Sequence, residues 1–370
     1  MASALFGPNG QIGVTRGVAE FHAGRPVLVR RGREAIFALP VEGLNTERLA
    51  AFIVLCAPAM PRLVITARRA RALGLEAEVA ISLRLSPRFD AETVLAFVAG
   101  AKADRSVKTK PAGASAAAAI ELAKLSQGLP AVLVADVSPD AIASAHHIIS
   151  VEAESVAQFR QDSIRSLGMA SKASVPLRSG KRATFVVFRT DTGESPAAII
   201  AGKPDFNNPV RVRLHSACLT GDVFGSRRCD CGDQLQLSLN RLEEEGGIIL
   251  YLPQEGRGLG LANKMRCYQM QDDGLDTIDA NTTLGFDEDE RDYGIAARML
   301  QMLGCTRVIL MTNNPAKLAG LAAAGIEIAG RISIEAPVNI DNRRYLAAKA
   351  SRAGHRLNKM LLSAKHVTAS

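Results

Sequence analysis

Short apolar runs alternate with alanine- and leucine-rich stretches along most of the chain, and this alternation limits the fold more than any other feature. In the first 165 residues, Pro26–Arg30, Leu63–Thr66 and Ala131–Val134 have the length and branched content of strands. Thr46–Cys56 and Ala114–Gln127 read as helices between them. Strands interleaved with helices predict an α/β (α+β) protein in which helices pack on mixed sheets. No internal repeat is apparent. At roughly 100–200 residues per domain, 370 residues make two domains, each long enough to bury its own core. Ser166–Lys181, rich in Ser, Gly and Lys, is the predicted linker. The expected domains are therefore 1–165 and 166–370.

Beyond that stretch, Thr184–Arg189 and Ala197–Ile200 read as paired strands around the turn Thr190–Glu194, and Arg211–His215 as a third. Helices are predicted over Gly232–Glu245, Asp287–Leu303 and Pro315–Ala324, the last with proline in its first turn. Strands Gly247–Leu252 and Arg307–Met311 each run into a polar loop, a common position for ligand sites.

Composition narrows the function. The net charge of +8 suits an anionic ligand. Basic residues are scattered, aromatics make up 4% and Trp is missing, so base-stacking platforms and nucleic-acid binding are not expected. No apolar stretch reaches the ~18 residues of a membrane span, and Met1–Pro8 lacks the basic start and apolar run of a signal peptide. Cys56, Cys218, Cys229, Cys231, Cys267 and Cys305 do not form a disulfide framework. A soluble, cytoplasmic protein without membrane association is expected.

Cys218, Cys229 and Cys231 crowd into fourteen residues. Three thiolates leave a fourth zinc position open for water, the arrangement of a catalytic site. The same spacing also allows a structural zinc with a distant fourth ligand (Cys267, Cys305 or His215), or three unligated thiols. Arg213, Arg227 and Arg228 are close enough in sequence to offset the thiolate charge. In Gln254–Leu261, glycines permit close backbone approach and Arg257 can grip phosphate oxygens in a bidentate manner. Glu255 there can accept hydrogen bonds from a guanine edge, and the loop alone is equally a plain strand–helix connection. Thr312–Lys317 opens a helix and reads either as an anion site or as a cap. The acidic run Asp287–Asp292 fits the first turn of a helix, with Arg291 its informative member.

Taken in order, Arg213–Asp222, Arg228–Leu235, Gln254–Arg257, Leu284–Phe286, Asp289–Asp292, Thr312–Pro315, Tyr345–Lys349 and Gly354–His355 closely resemble GTP cyclohydrolase II over roughly residues 175 to 358. The resemblance implies hydrolysis of GTP to formate, pyrophosphate and 2,5-diamino-6-(5-phosphoribosylamino)pyrimidin-4(3H)-one, the first committed step of riboflavin synthesis. It implies one catalytic zinc per chain on Cys218, Cys229 and Cys231, with water activated there attacking guanine C8. It also implies magnesium with the triphosphate and a homodimer. Arg213, Leu214, His215, Ser216, Ala217, Gln234, Glu255, Gly256, Arg257, Thr277, Thr312 and Lys317 would contact GTP. Tyr268 would sit near the reacting ring, Asp289 would accept a proton, and Arg291 matches the family's proposed nucleophile on the α-phosphorus. A guanidinium is effectively never deprotonated, so a clamp on phosphoryl charge suits Arg291 better. Ala217 departs from the glutamate of the family pattern.

The first half is similar to a degenerate 3,4-dihydroxy-2-butanone 4-phosphate synthase, through Gly24–Val29 and Asp104–Arg105. Where that family has an acidic magnesium-binding loop, this chain has Arg30-Arg-Gly-Arg-Glu34, which would repel a divalent cation. Only His22, His146 and His147 lie in this half, without a matching acid–base cluster. No synthase activity is expected there. Two competing readings are a paralogue that stops at a formylated intermediate or takes another purine or pyrimidine, and a non-catalytic zinc module that binds nucleotide or a partner protein.

Overall fold

The computed structural model describes residues 8–84, 90–100, 107–138, 142, 145–191 and 193–352. Asp104–Arg105 and Gly354–His355 lie outside them. The chain forms two compact units, one of Met1–Asp162, Ala262–Leu275 and Asp279–Glu290, the other of Ser163–Leu261, Asp276–Ile278 and Arg291–Ser370.

In the first unit, the apolar runs form strands because their branched side chains pack on a pleated, buried surface. Strands β1 (Val27–Arg31), β2 (Glu34–Pro40), β3 (Arg62–Ile65), β4 (Ile81–Arg84), β5 (Thr109–Pro111), β6 (Ala131–Asp136) and β7 (Ser150–Glu152) lie in the order β5-β4-β3-β6-β2-β1-β7. All pairs are antiparallel except β1–β7. The alanine-rich helix Ala114–Leu125 buries Ala116, Ala119, Ile120 and Ala123 in a cluster with Val29, Val64, Val132 and Val134. Helix Thr46–Cys56 begins where predicted, and the Asn45 side chain caps it by accepting from Arg48 N. The cationic stretch Arg30–Arg33 is exposed and spans the end of β1 and the turn into β2. His22, His146 and His147 are all exposed.

Two segments far along the chain also pack into this unit. Buried Arg69 donates to Phe97 O and Gly100 O, and to Thr283 O at 2.8 Å. Thr66 Oγ1 donates to Gly285 O at 2.7 Å, Lys124 pairs with Glu290 at 2.9 Å, and Arg266 pairs with Glu42 at 2.7 Å.

The second unit is built on β8 (Gly168–Pro176), β9 (Arg182–Arg189), β10 (Ala197–Ala201), β11 (Val210–Ser216), β12 (Gly247–Leu252), β13 (Arg307–Met311) and β14 (Glu327–Ile332), in the order β14-β13-β11-β12-β10-β9-β8. The half from β14 to β12 is parallel and the half from β10 to β8 antiparallel. Helices Gly294–Met302 and Pro315–Ala323 bury Ala296, Met299, Leu300 and Leu321 against Val212, Leu214, Leu250 and Leu310.

Two expectations are corrected here, and two helices are added. The predicted linker Ser166–Lys181 is mostly β8, an edge strand paired with β9 from Gly168–Arg189 to Pro176–Arg182. Its small polar residues and lysine are what an exposed edge tolerates, and the same composition mimics a linker. The helix predicted over Asp287–Leu303 starts only at Gly294. The acidic side chains turn back on the backbone instead: Glu290 Oε1 accepts from Asp287 N, and Asp292 Oδ1 from Gly294 N. Helices Leu261–Asp272 and Thr277–Thr283 were not foreseen, because neither carries a continuous apolar stripe.

Candidate metal and nucleotide site

Strand β11 runs through the middle of the second sheet and ends level with its parallel neighbour β12, with Ser216 opposite Leu252. Ligands of open α/β sheets gather at such carboxyl ends. Ala217 N prolongs the pairing by donating to Leu252 O, and the chain then enters Cys218 and the π-type turn Leu219–Val223. The helix Cys231–Glu245 starts on the third cysteine.

The thiol sulfurs of Cys218, Cys229 and Cys231 all lie within 4.8 Å of one another, with Cys218 and Cys229 3.7 Å apart. Tetrahedral zinc with Zn–S bonds of about 2.3 Å sets its sulfurs ~3.8 Å apart, so the donor set fits zinc. No fourth His, Cys, Asp or Glu joins the group among the described residues. Cys267 belongs to the first unit and donates to Asn281 Oδ1, Cys305 is buried in the second unit's apolar core, and His215 turns its Nε2 to Asp222. Gly221 makes the cluster possible. A Cβ there would stand 3.0 Å from Cys229 Sγ and 3.1 Å from Cys218 Sγ.

Asp222 organises the side of the cluster towards β11. Its carboxylate accepts from Cys218 N, Tyr251 Oη and His215 Nε2, each at 3.0 Å. His215 stacks on Tyr251 with ring centroids 5.5 Å apart. Burial lowers the His215 pKa more than Asp222 restores it.

Arg213, also on β11, donates to Gln234 Oε1 at 2.6 Å and to Met311 O at 3.1 Å, and Gln234 Nε2 donates to Asp230 Oδ2 at 2.6 Å. Burial pushes the Arg213 guanidinium down to about 10, against the opposing charges of Asp230 and Cys231. Asp230, between two of the cysteines and fully buried, also accepts from Lys349 Nζ at 2.9 Å. Desolvation would raise the Asp230 pKa, but the Lys349 charge and hydrogen bond, a backbone hydrogen bond and the Arg213 charge together outweigh it and hold the carboxyl below its usual value.

The glycine-rich loop is a tight turn, Glu255–Gly258, with Gly256 at φ 61° and Arg257 at φ 65°. Glu255 Oε2 accepts from Leu219 N, joining this loop to the thiol-bearing turn. Thr312 is buried at the end of β13 and accepts from Asn314 N, while Asn314 caps the helix that Pro315 opens. Lys317 is buried and donates to Leu214 O at 2.7 Å. The cap is what the structure shows of this loop, with the buried cation Lys317 in the first turn of the helix it opens. Arg291 lies over the Tyr293 ring, and Thr277 begins its helix. Tyr268 and Asp289 belong to the first unit, Tyr268 on helix Leu261–Asp272 with Lys264 Nζ 5.6 Å from its ring centre. Arg227 pairs with Asp341 at the surface.

Arg213 Nε, His215 Nδ1, Ser216 Oγ and Gln254 Oε1 are buried with no hydrogen-bond partner among the described residues. Such atoms are rare and here sit on β11 and at the end of β12, where a polar ligand or water would satisfy them. Asp222, Asp230 and Lys349 entered the sequence reading only as members of the family motifs, without a role of their own, and Tyr251 only as a strand residue. Asp222 and Asp230 flank the cysteines closely, but nothing local marks their partners.

An open three-thiolate metal site at the carboxyl ends of parallel strands defines a metal-dependent α/β enzyme. The GTP cyclohydrolase II family model matches residues 169–333. GTP cyclohydrolase-2 of Azospirillum brasilense is 39% identical over 359 residues, covering 92% of this chain and 93% of the relative. GTP cyclohydrolase-2 of Xylella fastidiosa (strain Temecula1) is 39% identical over 365 residues, covering 95% and 89%. The riboflavin biosynthesis protein RibBA of Staphylococcus saprophyticus is 41% identical over 249 residues, 64% of this chain and 63% of its own. A crystal structure of RibBX, a two-domain 3,4-dihydroxy-2-butanone 4-phosphate synthase from A. baumannii, aligns over 87% of this chain and 99% of its own, at TM-score 0.34 and 15% identity. The chain belongs to the GTP cyclohydrolase II family.

Proposed function

We propose that the chain opens the guanine ring of GTP, releasing formate and pyrophosphate and leaving the diaminopyrimidine that enters riboflavin synthesis. The observation that carries this reading is the zinc-spaced sulfur cluster beside unsatisfied buried polar atoms at the end of β11. Zinc on Cys218, Cys229 and Cys231 supplies Lewis acidity and a nucleophile from water near neutral pH. Arg213, Leu214, His215, Ser216, Ala217 and Gln234 line the nucleotide. Arg213 and Gln234 reach it already oriented by Met311 O and Asp230. Glu255 reads the guanine edge, while Gly256 and Arg257 bring backbone and guanidinium to phosphate oxygens. Thr277, Thr312 and Lys317 complete the contacts, and magnesium accompanies the triphosphate. Tyr268 and Asp289 serve the ring chemistry, with Asp289 accepting a proton. Arg291 stabilises phosphoryl charge as a clamp, which needs no deprotonation. The working form is a homodimer in the cytoplasm, where the thiols stay reduced. No helix among the described residues is long and apolar enough to cross a membrane.

The test is to incubate zinc-loaded protein with GTP and magnesium and to quantify formate, pyrophosphate and diaminopyrimidine together. All three are expected in equal amounts, and Cys229→Ser should abolish them. Pyrophosphate without formate would indicate a paralogue that leaves the ring formylated. Zinc binding without any product would sink the hydrolase reading. The first unit carries no synthase activity in this proposal, because its exposed cationic stretch Arg30–Arg33 opposes a divalent metal. Formation of 3,4-dihydroxy-2-butanone 4-phosphate from ribulose 5-phosphate by the full chain would overturn that part.

A further inference from the structure

The last described helix, Arg343–Arg352, lies beyond the stretch matched by the family model, which ends at residue 333. It nevertheless reaches the cysteines. Lys349 Nζ is 2.9 Å from Asp230 Oδ1 and 4.1 Å from the centre of the Tyr345 ring. Lys349 and Asp230 are both buried, and Asp230 is the residue between Cys229 and Cys231. The other Asp230 oxygen receives Gln234, which in turn receives Arg213. A continuous polar chain thus runs from Lys349 through the thiol-bearing loop to β11 and, at Met311 O, to the end of β13.

The charges around the cluster show what this chain accomplishes. Three thiolates and Asp230 carry four negative charges in a largely dry setting. A divalent metal brings two positive charges, and the buried cations Arg213 and Lys349 bring one each. Asp222 and Lys317, both close to β11, add one of each sign. Without Lys349 the buried Asp230 carboxylate loses the cation it pairs with, which is costly where water cannot screen the charge left behind. The donor geometry of Lys349 also fixes the Asp230 side chain, and hence the backbone joining Cys229 to Cys231.

We infer that Lys349 is a positioning residue of the metal site: from the carboxy-terminal helix it neutralises and orients Asp230, and thereby holds the cysteine loop in its zinc-binding shape. The inference rests on the zinc reading above, and its test separates the two. Zinc affinity of the full-length protein is measured by competition with a chromophoric chelator, which needs no GTP turnover. Failure of the wild type to bind zinc would remove the zinc reading itself. Given wild-type binding, Lys349→Met should weaken zinc about 10- to 100-fold, the usual effect of losing an outer-shell partner. Lys349→Arg should restore most of it, because charge and donor are kept. The thiolate-to-cobalt absorption band of the Co2+-loaded protein should shift in Lys349→Met and return in Lys349→Arg, a change that loosened helix packing alone would not give.

The decisive variant is Asp230→Asn combined with Lys349→Met, which removes both charges together. It should bind zinc more tightly than Lys349→Met alone. Additive losses in the double variant would overturn the inference, as would wild-type zinc affinity in Lys349→Met. If Lys349→Met fails to fold, a folded, zinc-binding double variant supports charge compensation. Failure of both makes Lys349 a packing residue and overturns it.

Discussion

An alanine at position 221 should weaken zinc binding while leaving the second unit folded. Gly221 is buried within Leu219–Val223, the turn that bends the chain around the three sulfurs. The added methyl would meet Cys229 Sγ at 3.0 Å, and Cys218 Sγ and Cys231 Cβ at 3.1 Å. Ordinary contact begins near 3.4 Å, so each neighbour must yield by a few tenths of an ångström. A metal site holds its ligand distances to about 0.2 Å, so the displacement falls on the coordination geometry. None of these neighbours is the free end of a long side chain that could swing aside. Overpacking of this kind costs about 1–3 kcal/mol. If the cost falls mainly on the metal-bound state, the zinc Kd rises roughly 5- to 150-fold at about 1.4 kcal/mol per decade. The assay is chelator competition on the purified variant, with circular dichroism to confirm the fold. Gly232→Ala should be worse, because its methyl would collide with the backbone oxygen of Gly221 at 2.3 Å. A Gly221→Ala protein whose zinc Kd stays within twofold of wild type would refute the reasoning.

Asp222→Asn replaces a carboxylate that accepts from Cys218 N, Tyr251 Oη and His215 Nε2. The amide turns one acceptor into a donor facing other donors, so stability should fall by about 3 kcal/mol. A urea midpoint and slope equal to wild type would contradict this. Arg257 holds φ at 65°, a region that costs a side-chain-bearing residue roughly 1–3 kcal/mol. Arg257→Gly should therefore melt above Arg257→Ala, while both raise the KM for GTP through loss of the guanidinium. Equal melting temperatures for the two variants would remove the strain argument, and an unchanged KM would remove the phosphate contact.

What the sequence disclosed and what it hid divide along the distance over which each feature acts. The thiol cluster was legible because its three ligands fall within one loop and one helix start, and sulfur has few other uses at that spacing. Strands β10, β12 and β13 were legible because buried strands flanked by turn residues need nothing distant to be recognised. Helix Pro315–Ala323 announced itself through Asn314 and Pro315, a cap and a first-turn residue side by side. The acidic run Asp287–Asp292 misled because its composition suits a helix start, whereas its side chains fold back onto their own backbone and onto Lys124. The surroundings of the metal were hidden for a different reason. Asp230 finds its cation 119 residues later, and Asp222 finds Tyr251 29 residues later, after an intervening helix. Lys349 lies in the motif Tyr345–Lys349, yet neither it nor Tyr251 is marked in sequence as the partner of a particular aspartate, because any buried cation or hydroxyl at the right point in space would serve. A metal site can thus be located from its ligands alone, but its charge balance is settled by tertiary structure. Here that balance draws on a helix that the ligand-bearing loop gives no hint of.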